Sequence, residues 1–264
     1  MADKGFIWFA TNTDSVDYID LSRKLAESIK KHNSINKVCV ITDKKIQHDK
    51  YFDYVVTMKN PSHLAFNNEH RIFGLSPFTH SIKLEADMVV CGNIDWWWNY
   101  LCRHDMVTSR NCLNYKGEEV VDKHYRELFR RNSLPNIYNC LTYFRKSKMA
   151  ENFYKLCGAI TKNWNTIREE CLVGCDNDSP TTDEVYALAY KMLDPLDEHH
   201  VEFDWFKIVH NKNLINGIRH SIDNNEYLNP MLINNDLYVG SHRLCGIWHY
   251  HHKKTMEQLN ARIF

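Results

Sequence analysis

Ser81-Ile82-Lys83-Leu84-Glu85-Ala86-Asp87-Met88-Val89-Val90 is the stretch on which the reading of this chain turns. It is an apolar run that carries an acidic pair, Glu85 and Asp87, with Lys83 embedded in it. A strand sends residues i and i+2 to the same face, so Glu85 and Asp87 are expected side by side where a buried strand reaches its rim. Two adjacent carboxylates repel each other and resist desolvation unless a cation or a basic partner neutralises them. Hard oxygen ligands suit Mg2+ or Mn2+. The alternative is a pair of solvated acids at a strand end. Lys83 shares the face of Glu85 on a regular strand, roughly 7 Å back at about 3.3 Å per residue, where an ion pair would compete with the metal.

Towards the N-terminus, Phe6-Ile7-Trp8-Phe9-Ala10 is a short apolar strand, and Thr11-Asn12-Thr13-Asp14-Ser15 offers turn and N-cap chemistry for a helix running to about Lys31. Leu21, Leu25 and Ile29 recur at helical spacing and are expected to pack on a sheet. Lys37 to Asp43 and Tyr54 to Met58 read as further strands. The order strand, helix, strand, strand, helix, strand implies an α/β fold with a mostly parallel sheet flanked by helices, whose ligands sit at the carboxyl ends of the strands. Neither a G-x-G-x-x-G nor a G-x-x-x-x-G-K-[ST] loop is present. That counts against a kinase or a Rossmann dehydrogenase, and leaves a bound diphosphate to be neutralised by a cation and side chains.

Flanking motifs narrow the reading. Arg71-Ile72-Phe73-Gly74-Leu75-Ser76-Pro77-Phe78-Thr79-His80 precedes the opening stretch and Cys91-Gly92-Asn93-Ile94-Asp95-Trp96 follows it. Leu134 to Ser147 carries Asn139 ahead of Phe144-Arg145-Lys146-Ser147, Thr181-Thr182-Asp183-Glu184 opens an apolar helix, and Gly246 to Lys254 is rich in His and Lys. Together these resemble the GT-A glycosyltransferases, most closely the retaining enzymes of the glycosyltransferase family 8 type, over about the first 190 residues with one C-terminal echo. The resemblance implies a GT-A type Rossmann-like fold forming a single domain over 1–264. Its half to about 110 would bind a nucleotide sugar, and 111–264 would face the acceptor.

It also implies roles for particular residues. Thr11, Asn12 and Tyr18 match positions that hold the nucleotide base. Arg71 and Lys254 match groups set against the diphosphate, with Lys253 as a close substitute. Asp87, Glu85 and His249 match the metal shell for Mn2+ or Mg2+, with His251 close to His249 in register. Asn139 matches a residue that holds donor-sugar hydroxyls, and Asp183, beside Glu184, an acid facing the transferred sugar. Three departures stand out: Glu85 where Asp is usual, Leu141 where Gly is frequent, and a C-terminal segment without the family's Gly and Pro-Trp.

Composition bounds the remainder. With 264 residues, 44% of them hydrophobic, the chain can bury a sizeable core. No run of about 18 apolar residues and no signal-peptide pattern occurs, so a cytoplasmic protein without membrane contact is expected. Nine cysteines without C-x-x-C spacing point to reduced thiols. Trp96-Trp97-Trp98 spans roughly 200° of a helix, so at least one ring is expected to face outward.

The expected donor is a UDP-sugar. Lys, Asn and Ile richness resembles phage-encoded proteins, which makes 5-hydroxymethylcytosine in phage DNA the leading acceptor and the host cytoplasm the location. Contacts to DNA would come from Lys123 to Arg131, Arg219-His220 and His249 to Lys254, although equal totals of 33 basic and 33 acidic residues supply no overall basic footprint. A glycan, a lipid-linked sugar or a protein hydroxyl are competing acceptors. An inactive GT-A fold acting as a binding protein, or a nucleotidyltransferase, are the readings of other classes.

Overall fold

The computed structural model of the chain describes residues 2–46, 49–62, 65–197, 200–217, 228, 230–234 and 236–250. Lys254, Lys253, His251, Arg219, His220 and Tyr227 lie outside the described residues. In chain order the elements are β1 (Ala2–Phe9), α1 (Tyr18–His32), β2 (Val38–Thr42), β3 (Tyr54–Thr57), a 3-10 turn (Ala65–Arg71) running into α2 (Ile72–Leu75), β4 (Phe78–Lys83) and β5 (Met88–Val90). There follow a 3-10 turn (Asp95–Trp97), α3 (Trp98–Leu101), β6 (Met106–Arg110), β7 (Cys112–Leu113), β8 (Glu119–Val120), α4 (Glu127–Arg131), β9 (Ile137–Arg145), α5 (Lys148–Lys162), α6 (Trp164–Cys171) and α7 (Thr182–Leu193). Last come β10 (Ile208–His210), a 3-10 turn (Asn213–Asn216), β11 (Pro230–Ile233), β12 (Asp236–Val239), β13 (His242–Arg243) and β14 (Ile247–His249).

The central sheet has the order β3-β2-β1-β4-β9-β6. Its first four strands are parallel, and β9 runs antiparallel to both β4 and β6. The sheet is therefore mixed, with three parallel ladders and two antiparallel ones, in an α/β architecture consistent with a Rossmann-like fold. Apolar runs such as Val38 to Thr42, buried at every residue, suit central parallel strands covered on both faces. Side-chain alternation explains the covering: Phe6 and Trp8 enter the core shared with α1 and the second sheet, whereas Ile7 enters the core shared with α5 and α7. Gly5 is required by close approach, because a Cβ there would lie 2.4 Å from the Phe78 ring.

Helix α1 begins one turn later than the sequence suggests. Its N-cap is Asp17, whose carboxylate accepts from the Ile19 and Asp20 amides, and not a residue of 11–15. Leu21, Leu25 and Ile29 are buried as expected, each worth about 1.5–3 kcal/mol of transfer free energy.

A second sheet, β5-β14-β10-β7-β8, lies against this layer, and β11-β12-β13 form an antiparallel meander. Ser81 to Val90 is accordingly not one strand. β4 stops at Lys83, Leu84 donates its amide to Ile7 at 3.0 Å, and the chain turns at Ala86-Asp87 before β5 pairs with β14 in the other sheet. Glu85 and Asp87 sit in a crossing between sheets, where the period-2 argument that predicted their pairing does not apply.

Candidate metal-binding crevice at the carboxyl ends of β1 and β4

The chain leaves β1 through α1 towards β2 on one side, and β4 lies on β1's other side. This is the switch point at which open α/β sheets leave a crevice beyond the carboxyl ends of their strands. A cavity of about 370 Å3 occupies that place, lined by Phe9, Thr11, Tyr18, Phe66, Lys83 and the Glu85–Asp87 crossing, with Glu69 and Thr182 at its sides.

His249 reaches this rim from β14. Its strand pairs antiparallel with β5, His249 opposite Met88, and Tyr250 donates its amide to the Asp87 carbonyl at 3.3 Å. The result sets His249 Nε2 3.4 Å from a Glu85 carboxylate oxygen and 3.4 Å from Asp87 Oδ1. The expected metal shell is thus gathered from residues more than 160 positions apart in sequence. Cys140 joins it: one ligand atom each of Glu85, Cys140 and His249 lies within 4.8 Å of the others. On β9, Lys83 pairs with Thr142, and continuing that register by two residues sets Glu85 opposite Cys140.

Lys83 underlies the site. It is 1% exposed, and its ammonium lies 2.5 Å from Glu69, 3.7 Å from Glu85 and 3.1 Å from the Asn139 carbonyl to which it donates. Burial pulls its pKa down, but the Glu69 and Glu85 carboxylates outweigh that and hold it above the ordinary lysine value. Glu85 is pushed above the usual carboxylate range by burial, with Asp87 and Glu69 adding to it against Lys83 and His249. Among the described residues, three carboxylates, Glu69, Glu85 and Asp87, face one lysine and one imidazole here. That surplus of negative charge, with oxygen and nitrogen donors in reach, fits a divalent cation.

Other expected positions divide. Thr11 and Tyr18 line the crevice. Asn12 does not line it; its side chain helps close α1, donating to Asp17 at 3.0 Å and accepting from the Ile19 amide at 3.1 Å. Arg71 is away from the crevice as well. Its guanidinium donates to the Lys59 and Asn60 carbonyls at 2.7 and 3.2 Å, because the 3-10 turn before α2 rotates it onto that loop.

Asn139 contributes its main chain, the carbonyl to Lys83 and the amide to Asp183 at 2.8 Å. Its side-chain nitrogen is buried without a hydrogen-bond partner among the described residues, a donor available to a ligand or a water. Asp183 sits in the first turn of α7 next to the crevice residue Thr182, and also accepts from Arg126 at 2.7 Å. Glu184 is the acid of a capping box with Thr181 and accepts from Asn177 at 3.0 Å. It is buried, which raises its pKa, and it closes a helix end where a role in catalysis was expected.

The expected basic patch from Lys123 to Arg131 is largely engaged internally. Arg126 holds Asp183, Arg130 and Arg131 both pair with Glu127, and Lys123 donates to the Leu134 carbonyl at 3.3 Å. Of the tryptophan triplet, Trp96 is 42% exposed while Trp97 and Trp98 are buried, as helical geometry requires. Phe206, Trp248 and Tyr250 are core residues. All nine cysteines are free thiols. Among the described residues, no helix is long and apolar enough to cross a membrane.

The sequence matches no protein-family model and no curated protein. Cys140 and Glu69 are the crevice residues that sequence reasoning missed. The local signal for Cys140 was its place next to Asn139, and Glu69 carried none.

Proposed function

We propose that this chain is a metal-dependent glycosyltransferase of the GT-A type, similar to the retaining family 8 enzymes, which moves a sugar from a UDP-sugar to a hydroxyl acceptor. The observation that carries the reading is the convergence of His249 on Glu85 and Asp87, 3.4 Å from each, at the switch-point crevice. The crevice volume of about 370 Å3 falls in the range of small-molecule sites, about 300–1,000 Å3.

Each side chain then has a task. Thr11 and Tyr18 flank the nucleoside. Glu85, Asp87 and His249 hold the cation, which supplies Lewis acidity to the departing diphosphate. Lys83 sets a positive charge beneath Glu85, 3.7 Å away, and the Asn139 side-chain amide is a donor for sugar hydroxyls. Asp183, fixed by Arg126 and by the Asn139 main chain, supports the wall on the acceptor side.

Calorimetry with UDP and UDP-sugars tests this. Binding that needs Mn2+ or a comparable cation in the wild type and vanishes in Asp87→Ala is expected; equal affinity with and without cation ends the proposal. A donor screen read by mass spectrometry, with hydroxymethylated DNA and simple sugars as acceptors, then assigns the acceptor. Hydroxymethylcytosine comes first in that screen on composition, and DNA contact by Lys123 to Arg131 would exchange the internal partners of Arg126, Arg130 and Arg131.

One observation favours a second reading. The Lys83 ammonium, 3.7 Å from Glu85, suits a fold of this type that binds nucleotide against an internal cation without turnover. Cation-independent UDP binding without donor hydrolysis singles it out.

A further inference from the structure

We infer that Cys140 is a cation ligand, and that the crevice selects a thiophilic divalent ion of the Zn2+ class over Mn2+ or Mg2+. This rests on the reading above in taking the crevice as a cation site, and it deepens that reading by assigning the ion's chemistry.

Glu85, Cys140 and His249 offer one carboxylate oxygen, one sulfur and one imidazole nitrogen within 4.8 Å of one another. Asp87 Oδ1 stands beside this set, 3.4 Å from His249 Nε2. Donors at zinc bond lengths of roughly 2.0–2.3 Å in a tetrahedron stand about 3.5 Å apart, and a site with three protein donors keeps the fourth position open. Glu85 already meets His249 at 3.4 Å, and the sulfur, within 4.8 Å of both ligand atoms, needs to close by about an ångström, within the reach of a Cys χ1 or Glu χ adjustment.

Three separate pieces of backbone fix the set: the β4–β5 crossing, β9 and β14. Cys140 is 3% exposed and forms no disulfide, so its sulfur is protected from solvent oxidants and stands free beside Glu85 and His249. Carboxylate and water ligands alone suit Mg2+ and Mn2+, whereas adding sulfur and imidazole moves preference to Zn2+ and its relatives. When the sulfur–metal bond forms, the S–H bond breaks and the proton leaves to solvent.

Co2+ serves as the probe, because a thiolate ligand gives it a sulfur-to-metal absorption in the near ultraviolet. The purified full chain is expected to develop that absorption on Co2+ addition and to lose it when Zn2+ displaces the cobalt. Cys140→Ser, with an unchanged circular dichroism spectrum, should lack the absorption and bind Zn2+ at least about tenfold more weakly, leaving Mn2+ affinity in place. Cys171→Ser, at an exposed thiol, should keep it.

An absorption of equal strength in Cys140→Ser, or Zn2+ affinity unmoved by that substitution, overturns the assignment. Should Cys140→Ser not fold, the X-ray absorption of the wild-type chain loaded with one equivalent of Zn2+ takes its place, read for a sulfur neighbour at about 2.3 Å; a shell of oxygen and nitrogen alone is the overturning result. The two readings fail separately. UDP binding with Mn2+ and no sulfur absorption removes the thiol ligand alone, whereas the absorption without any nucleotide binding removes the transferase reading alone.

Discussion

Two cavities of nearly equal size, about 370 Å3 at the ends of β1 and β4 and about 360 Å3 between β6 and the end of α7, differ in what their charges do. The second is lined by three bases, Arg110, Lys123 and Lys191, and three acids, Asp194, Asp197 and Glu202. Its bases are occupied: Arg110 pairs with Asp197, Lys191 donates to the Asn132 and Ser133 carbonyls at 3.1 and 3.0 Å, and Lys123 to Leu134 at 3.3 Å. The first holds Glu69, Glu85 and Asp87 around Lys83 and His249. Volume does not separate the two cavities, but charge balance does. A balanced wall is a finished piece of structure, whereas among the described residues the first wall carries more carboxylates than bases, which is what the proposed cation site requires.

The largest expected effect comes from removing the crevice's own base. Lys83→Met leaves the partly buried Glu69 and Glu85 without the buried ammonium that neutralises them and should cost about 3 kcal/mol, read as a lowered urea midpoint at unchanged slope. A loss under 1 kcal/mol would mean that those acids are already neutral.

The balanced cavity supplies the next test. Burial, with Arg110 adding to it, lowers the His200 pKa to about 4 from 6.5. The folded state thus resists a proton that the unfolded chain accepts. His200's contribution is complete above about pH 6.5 and is lost as pH falls towards 4, amounting to about 3 kcal/mol at 1.36 kcal/mol per pH unit. His200→Gln should flatten the stability profile over that window, and an unchanged profile would assign the loss to other groups.

Asp183→Ala leaves Arg126 Nη2 and the Asn139 main-chain amide without their shared acceptor and should cost about 2 kcal/mol. The same change at Asp87 should remove cation binding at little structural cost. The smallest effect has the opposite sign. Asp87→Asn relieves carboxylate repulsion at the crevice and should raise the stability of the cation-free chain by about 0.5–1 kcal/mol, while Asp197→Asn in the balanced cavity should lower it. Equal signs at the two positions would erase the distinction drawn between the cavities.

Much of this was legible locally. The strands at 6–10, 37–43 and 54–58 and the buried stripe of α1 follow from apolar periodicity, which tertiary packing preserved. Strand periodicity set Glu85 beside Asp87 on a regular strand, where the chain in fact crosses between sheets, and only the family resemblance put His249 with them; its Nε2 stands 3.4 Å from each. Asn12, Arg71 and Glu184 show the opposite difficulty. Their residue types suit ligands and helix caps equally, and only the position of Asp17, the loop carbonyls at 59–60 and Thr181 decides between them.

Amino-acid order by itself determined the alternating α/β plan, the acidic pair and the lack of a glycine-rich phosphate loop, because these depend on contacts within a few residues. Tertiary structure alone decided that Glu69 meets Lys83, that Cys140 lies across from Glu85, and how near to both acids His249, a residue from the far end of the chain, comes to stand. Those juxtapositions arise from strand order and register between distant segments, and charges that are unremarkable along the sequence become a site only where two sheets bring them within about 3–5 Å, the range in which Coulomb energy rivals desolvation.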